Sequence, residues 1–190
     1  MKRTAHLLIG IALLAGCGER AVTGTAAAPR FLAEEASQPF GSSVEKDLAT
    51  LRRVTAPFHS FSAAMTAGWS AQITGCMTDP GGAGGMGLHY GNPGLIDGSV
   101  QVDQPELLLY EPEKNGQMRL VAVEYIIPVS QWTSSVPPRL FGRDFHVIDA
   151  FQVWALHVWA WKQNPSGMFE DWNPLATCQN AAAVSTMAHH

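Results

Sequence analysis

Two histidines and one glutamate are the residues of this chain whose types and surroundings best suit metal chemistry. His157 lies in an alternating run of tryptophans and aliphatic residues, and His89 follows a glycine-rich stretch. Glu124 lies on a predicted strand face that is otherwise apolar, and a buried carboxylate needs a charged or hydrogen-bonded partner. Two imidazoles and a carboxylate suit zinc, while a nearby thioether would shift the preference toward copper. The sequence predicts a zinc or copper site here, with haem as the less favoured cofactor.

Four further residues are predicted to form the walls of a ligand pocket beside the histidines. These residues are Met86, Tyr90, Trp159 and Trp161. The first two flank His89 in sequence, and the two tryptophans share the predicted strand face of His157. A competing interpretation makes His157 a hydrogen-bonded core residue and lets Glu124 bind backbone amides or Arg139.

Catalytic motifs are sparse, so an enzyme is not the favoured prediction. The chain has no G-x-S-x-G elbow and no H-E-x-x-H. The carboxylate pairs at 111/113 and 170/171 flank predicted turns and are expected to be solvated. His146 is expected to be a loop or surface residue.

The glycine-rich run 82–87 matches the letters of a dinucleotide fingerprint, but no helix follows it, so the whole stretch 79–98 is predicted to be an irregular loop.

The N-terminus has the pattern of an export signal. Lys2 and Arg3 precede an apolar run over 7–16 that is about half as long as a bilayer-spanning helix. The following Leu14-Ala15-Gly16-Cys17 resembles the lipobox of bacterial lipoproteins. That resemblance implies that residues 1–16 are removed, that Cys17 is acylated, and that the lipid bilayer is a partner. Because Gly18 replaces the aspartate that retains such proteins in the inner membrane, it implies the periplasmic face of the outer membrane of a Gram-negative bacterium.

The two remaining cysteines, Cys76 and Cys178, are predicted to form a disulfide. An exported chain is folded in an oxidising compartment, where disulfides persist. Neither cysteine lies in a CxxC motif or beside a basic residue that would favour a reactive thiolate.

Composition and periodicity predict one α+β domain over 44–180. Residues 17–43 are small, polar and Pro-punctuated and are predicted to be a flexible tether, and 181–190 a disordered tail. Helical spacing predicts N-terminal helices over 44–54 and 57–67, packed on a mostly antiparallel sheet. Its strands are predicted over 72–78, 107–111, 118–127 and 151–161, with a hairpin turn at Asn115-Gly116 and a long Pro-rich loop over 128–143.

Several motifs between residues 75 and 178 resemble a family of uncharacterised secreted bacterial proteins. The stretches that carry the resemblance are MGLHYGNPGLIDG, LLLYEPEKNGQMRLVAVEYIIP and WALHVWAWKQNPSGMFEDWNPLATC. The resemblance implies a compact domain closed by the C-terminal cysteine and implies no particular reaction.

The function predicted from these features is that of a membrane-tethered binding module with a metal or small-ligand pocket. The alternatives are a structural or partner-binding envelope protein and a hydrolytic or metal-dependent enzyme. Nucleic acid is excluded as a partner because the formal charge is −4, which leaves no basic excess to contact phosphates.

Overall fold

The computed structural model describes residues 40–181. The predicted export signal, Cys17, most of the tether and nearly all of the predicted tail lie outside these residues. The described chain contains helices α1 (Ser42–Thr55) and α2 (Phe61–Thr66) and strands β1 (Ala71–Thr78), β2 (Gly85–Gly91), β3 (Leu107–Pro112), β4 (Met118–Pro128), β5 (Arg139–Leu140), β6 (Arg143–Asp144), β7 (His146–Ile148) and β8 (Val153–Val158). No helix within 40–181 has the length and apolarity that a bilayer span requires.

The N-terminal helical region is interrupted where the sequence places a proline. Helix α1 buries Leu48 and Leu51, one turn apart, and its Arg52 Nε donates a hydrogen bond to the Ala160 carbonyl at 3.2 Å. A short 3-10 turn, Ala56–His59, follows, because a proline cannot continue the backbone hydrogen bonds of the helix. The predicted second helix over 57–67 is therefore shorter, and it begins after Ser60, whose hydroxyl accepts a hydrogen bond from a backbone N–H of the first turn.

Six strands form one antiparallel sheet in the order β1-β2-β3-β4-β8-β7, and β5 and β6 form a separate two-stranded ladder. The α+β class and the antiparallel sheet are thus confirmed. The hairpin at Asn115-Gly116 joins β3 to β4 as predicted, with Gly116 at φ +77°. This positive φ explains why a glycine occupies the tight turn.

The two faces of the main sheet carry two different apolar clusters. On one face, residues such as Tyr110 and Tyr125 belong to a cluster that also contains Leu48 and Leu51 of α1. On the other face, a smaller cluster includes Leu109 of β3 together with the residues Met86, Ile126, Ala155 and Trp159. The alternation of side chains along each strand separates the two clusters. The second face holds the candidate site.

The prediction that the glycine-rich stretch 79–98 is entirely a loop is wrong. Its middle third is β2, which is buried along its whole length. Glycine is required there because neighbouring backbone segments of the same chain approach closely. A Cβ on Gly87, at φ +91°, would lie 2.5 Å from the Tyr110 carbonyl oxygen. Gly84 is similarly pressed against the backbone of Asn173. These glycines allow close strand contacts, a role that single-sequence spacing does not distinguish from turn formation.

The last strand is shorter than the predicted 151–161. Residues before Val153 form a turn in which Gln152 has φ +54°. Beyond Val158 the chain turns tightly, because the Ala160 N–H donates to the Val158 carbonyl. This turn ends the alternation, so Trp161 lies on the opposite face from His157. The predicted loop over 128–143 also contains a short 3-10 turn and one strand of the small ladder.

The predicted disulfide between Cys76 and Cys178 is present. It joins edge strand β1 to the C-terminal segment across a sequence separation of 102 residues. The bond therefore closes nearly the entire sheet into one covalent loop.

Candidate metal centre

Register places the three predicted ligands on one face of the sheet. Glu124 of β4 is directly opposite His157 of β8, and its other neighbour is Leu107 of β3. His89 of β2 pairs with Leu109, two residues further along β3. Because residues two apart on a strand share a face, all three side chains project to the same side.

The three side chains converge in a buried cluster. Their ligand atoms all lie within 4.8 Å of one another. Glu124 Oε2 is 3.5 Å from His89 Nε2, and Glu124 Oε1 is 3.7 Å from His157 Nε2. Each residue exposes 4% or less of its surface. We call these three residues the triad.

Each triad histidine is held by a partner at its other ring nitrogen. His89 Nδ1 lies 2.7 Å from Thr74 Oγ1, and His157 Nδ1 lies 3.1 Å from Asp171 Oδ1. With the proton on Nδ1, each ring donates to its partner oxygen and keeps the Nε2 lone pair directed into the triad. Metal-binding histidines are commonly oriented in this way.

A third histidine extends this arrangement toward the surface. His146 Nε2 lies 3.0 Å from the second carboxylate oxygen of Asp171, and the His146 side chain is 49% exposed. The hydrogen bond that His146 donates to Asp171 raises the pKa of His146. Although partial burial opposes it, hydrogen bonds from His146 and His157 lower the pKa of Asp171, so the carboxylate is ionised.

The Nε2 atom of His157 lacks a partner that its position requires. Within 40–181, it is the buried side-chain nitrogen or oxygen that makes no hydrogen bond. The 3.7 Å separation from Glu124 is beyond normal hydrogen-bond range. Buried polar atoms in proteins are almost always satisfied, so a buried Nε2 that makes no hydrogen bond and faces a carboxylate and a second imidazole indicates a ligand position.

Burial strongly perturbs the protonation of the triad. It lowers the pKa of His89 to about 3, with the nearby His157 contributing, so His89 is neutral. Burial also raises the pKa of Glu124. His157 is subject to opposing effects: burial lowers its pKa, but the carboxylates of Glu124 and Asp171 outweigh burial and raise it.

The triad opens onto a cavity of about 510 Å³ to which all six strands of the main sheet contribute. Its walls are largely aliphatic and aromatic, and they include Ile73, Met77, Met86, Ile126, Val153 and Trp172. This volume is within the range of small-molecule sites, which are mostly apolar with a few convergent polar groups.

Only one of the four predicted wall residues lines this cavity. Met86 does so. Tyr90 and Trp161 belong to the opposite face, where Tyr90 follows the strand alternation and Trp161 donates its indole N–H to Thr55. Trp159 is on the same face as the triad, but its indole donates to the Glu170 carbonyl and it does not reach the cavity.

Sequence reasoning missed three residues that support the triad. Thr74 lies on a strand whose alternation is weak, and the sequence predicts only a loop or surface position for His146. Asp171 was expected to be solvated, but it bridges His146 and His157. Asp171 lies well beyond the end of the predicted last strand, in a segment with no pattern that would point to a histidine 14 residues earlier.

The structure also differs from two other expectations, the solvation of Glu111 and the partner of Arg139. Glu111, expected to be solvated, is buried and bonds Lys162, Arg119 and the Thr177 N–H; these bonds outweigh burial and lower its pKa. Arg139, considered as a partner for Glu124, pairs instead with Asp144 at 2.8 Å.

No protein-family model, curated protein or solved structure matches this chain.

Proposed function

We propose that this protein is an exported, lipid-anchored binding module that holds a divalent transition-metal ion at His89, Glu124 and His157. The unpaired, buried Nε2 of His157 carries this proposal. A water molecule has two protons to donate, whereas a cation can accept lone pairs from both Nε2 atoms and from the Glu124 carboxylate at once.

The spacing of the triad supports coordination. Zinc ligands lie about 2.0 to 2.2 Å from the ion, so adjacent ligand atoms in a tetrahedron are about 3.3 to 3.6 Å apart. The two carboxylate–imidazole separations, 3.5 Å from Oε2 and 3.7 Å from Oε1, are close to this edge length, and the three ligand atoms all lie within 4.8 Å of one another. A direct ionic hydrogen bond between these groups would be near 2.8 Å.

Zinc is the ion that the triad favours. Two imidazoles and one carboxylate form a catalytic-type zinc set that leaves a coordination position open. Copper is the alternative because the thioether of Met86 lines the same cavity. Haem is less favoured, since the Glu124 carboxylate is close to both histidines and contributes an oxygen donor.

The proposed anchor follows from the lipobox resemblance at residues 14–17. Acylation of Cys17 would hold the domain near the periplasmic face of the outer membrane, with residues 18–43 as a tether of about 25 to 30 Å r.m.s. reach. Such a location fits the disulfide, which persists in an oxidising compartment.

The test is a zinc titration of the full chain, purified without a histidine tag and reconstituted in lipid nanodiscs. We expect one tight zinc ion per chain by calorimetry and elemental analysis. Glu124→Gln removes the charge but keeps the shape, and should weaken zinc binding more than about a hundredfold, whereas Asp171→Asn should weaken it about 10- to 100-fold.

His59→Ala is the matched control, because it removes an exposed histidine while His189 and His190 at the C-terminus stay in place, as they do in Glu124→Gln. This variant should bind zinc like the wild type. Equal zinc affinity in Glu124→Gln and the wild type would contradict the proposal and would favour a structural role for the triad.

A further inference from the structure

The mouth of the cavity has an unusual concentration of exposed apolar side chains. Among residues 40–181, five large apolar side chains are exposed, and three of them line this cavity. They are Ile73 of β1 at 45%, Val147 of β7 at 37% and Phe151 of the β7–β8 turn at 51%. Apolar surface gathered at a concave opening is typical of a binding site.

Apart from Asp149, in the segment between β7 and β8, the polar groups of the cavity are at the triad end. Thr74, His146 and Asp171 are already occupied by the hydrogen bonds that hold the triad histidines or extend from them. A ligand with a single polar group therefore finds its best partner at the open coordination position of the triad, and its remaining atoms lie against apolar walls.

Charge indicates the nature of that polar group. A divalent ion held by one carboxylate, Glu124, and two neutral imidazoles keeps a net positive charge. The second nearby carboxylate, Asp171, has its own ion-pair partner outside the triad, because its Oδ2 lies 3.0 Å from His146 Nε2. An anionic oxygen donor would neutralise the remaining charge, and in this water-poor environment the attraction is strong.

Building on the proposed metal centre, we infer that the cavity binds a small molecule with an apolar body and a carboxylate head, and that the head completes the coordination of the ion. The exposed apolar side chains at the cavity mouth, Ile73, Val147 and Phe151, contact the end of the ligand that is farthest from the head. Fatty acids of medium chain length and arylalkanoic acids are the chemical class that fits this description.

Calorimetry on the zinc-loaded full chain in nanodiscs tests this inference, with empty nanodiscs as the blank. The probes are octanoate, which has both head and tail, acetate, which has only the head, and octanol, which lacks the charge. We expect octanoate to bind more than about tenfold more tightly than either of the other two, because methylene burial and head coordination both contribute.

Two double variants test whether octanoate binding depends on the apolar side chains at the cavity mouth or on exposed apolar surface in general. Ile73→Thr with Phe151→Ser should weaken octanoate binding by about tenfold or more and leave zinc affinity unchanged. Val136→Thr with Leu175→Ser removes exposed apolar groups that do not line the cavity, and should leave both affinities unchanged.

The outcomes distinguish this inference from the metal proposal. Normal zinc binding with octanoate no tighter than acetate overturns the inference alone. Equal octanoate affinity in chelator-treated and zinc-loaded protein overturns coordination of the head. Absence of zinc binding overturns the metal proposal and the inference together.

Discussion

A buried glutamate outside the triad makes stability depend on pH in a direction opposite to ordinary acid denaturation. Glu106 is 2% exposed, and its Oε2 accepts a hydrogen bond from the Ile126 N–H at 3.1 Å. Burial is the main cause that raises its pKa from 4.5 to about 8, and the negative charges of Asp97 and Glu124 add to the shift. We predict that Glu106→Gln removes this dependence, because the amide oxygen can still accept the Ile126 N–H.

The magnitude follows from proton linkage. Between the unfolded pKa of 4.5 and the folded pKa of about 8, native Glu106 holds a proton that the unfolded chain has released. The unfolded state is therefore favoured as pH rises through this window, and the native state loses stability. At about 1.4 kcal/mol per pKa unit, the wild type should lose about 4 kcal/mol from this group between about pH 5 and pH 9.

Urea unfolding of both proteins across this pH range measures the effect. The quantity compared is the difference in unfolding free energy between Glu106→Gln and the wild type, because other titrating groups cancel. This difference should shift in favour of the variant by about 4 kcal/mol from the acidic to the alkaline end. A difference that stays constant with pH would refute the assignment of a protonated Glu106.

Three further predictions concern the covalent frame and the anchor. Replacing Cys76 and Cys178 together by alanine should lower the unfolding free energy by about 4 to 5 kcal/mol, the loop-closure value for about 100 residues, measured by denaturant melts with and without reductant. Gly87→Ala should destabilise the fold by more than about 2 kcal/mol, whereas Gly75→Ala, which has open space around its Cα, should change it little; equal melting temperatures would contradict the packing. Cys17→Ser should release the protein from membranes after a high-salt wash, and continued membrane association would exclude the lipid as the anchor.

The parts of the fold that the sequence predicts best are those with local signals. The Asn-Gly turn and the alternation around Glu124 predict the hairpin of β3 and β4 nearly to its observed bounds. The same period-two logic puts His157 on a face shared with Ala155 and Trp159, as observed. Local periodicity is informative here because β3, β4 and β8 each pair with a neighbouring strand along both edges.

One error arises where distant segments decide the local structure, and another where a tight turn interrupts a strand. Strand β2 appears as a loop in sequence because its glycines serve close approach to Tyr110 and Asn173, which are far along the chain. The misplacement of Trp161 has a local cause, the tight turn at Ala160, but the indole is held in its observed position by Thr55 in the first helix.

The support of the triad shows why its geometry depends on long-range constraints. Thr74 and Asp171 fix the two histidine rings, yet one lies on edge strand β1 and the other in the C-terminal segment. The disulfide joins these same two segments, with Cys76 two residues from Thr74. An edge strand has only one hydrogen-bonded neighbour, so a covalent link beside it limits the local opening that would free the His89 ring. The disulfide therefore contributes to the orientation of the proposed ligands as well as to the stability of the whole domain.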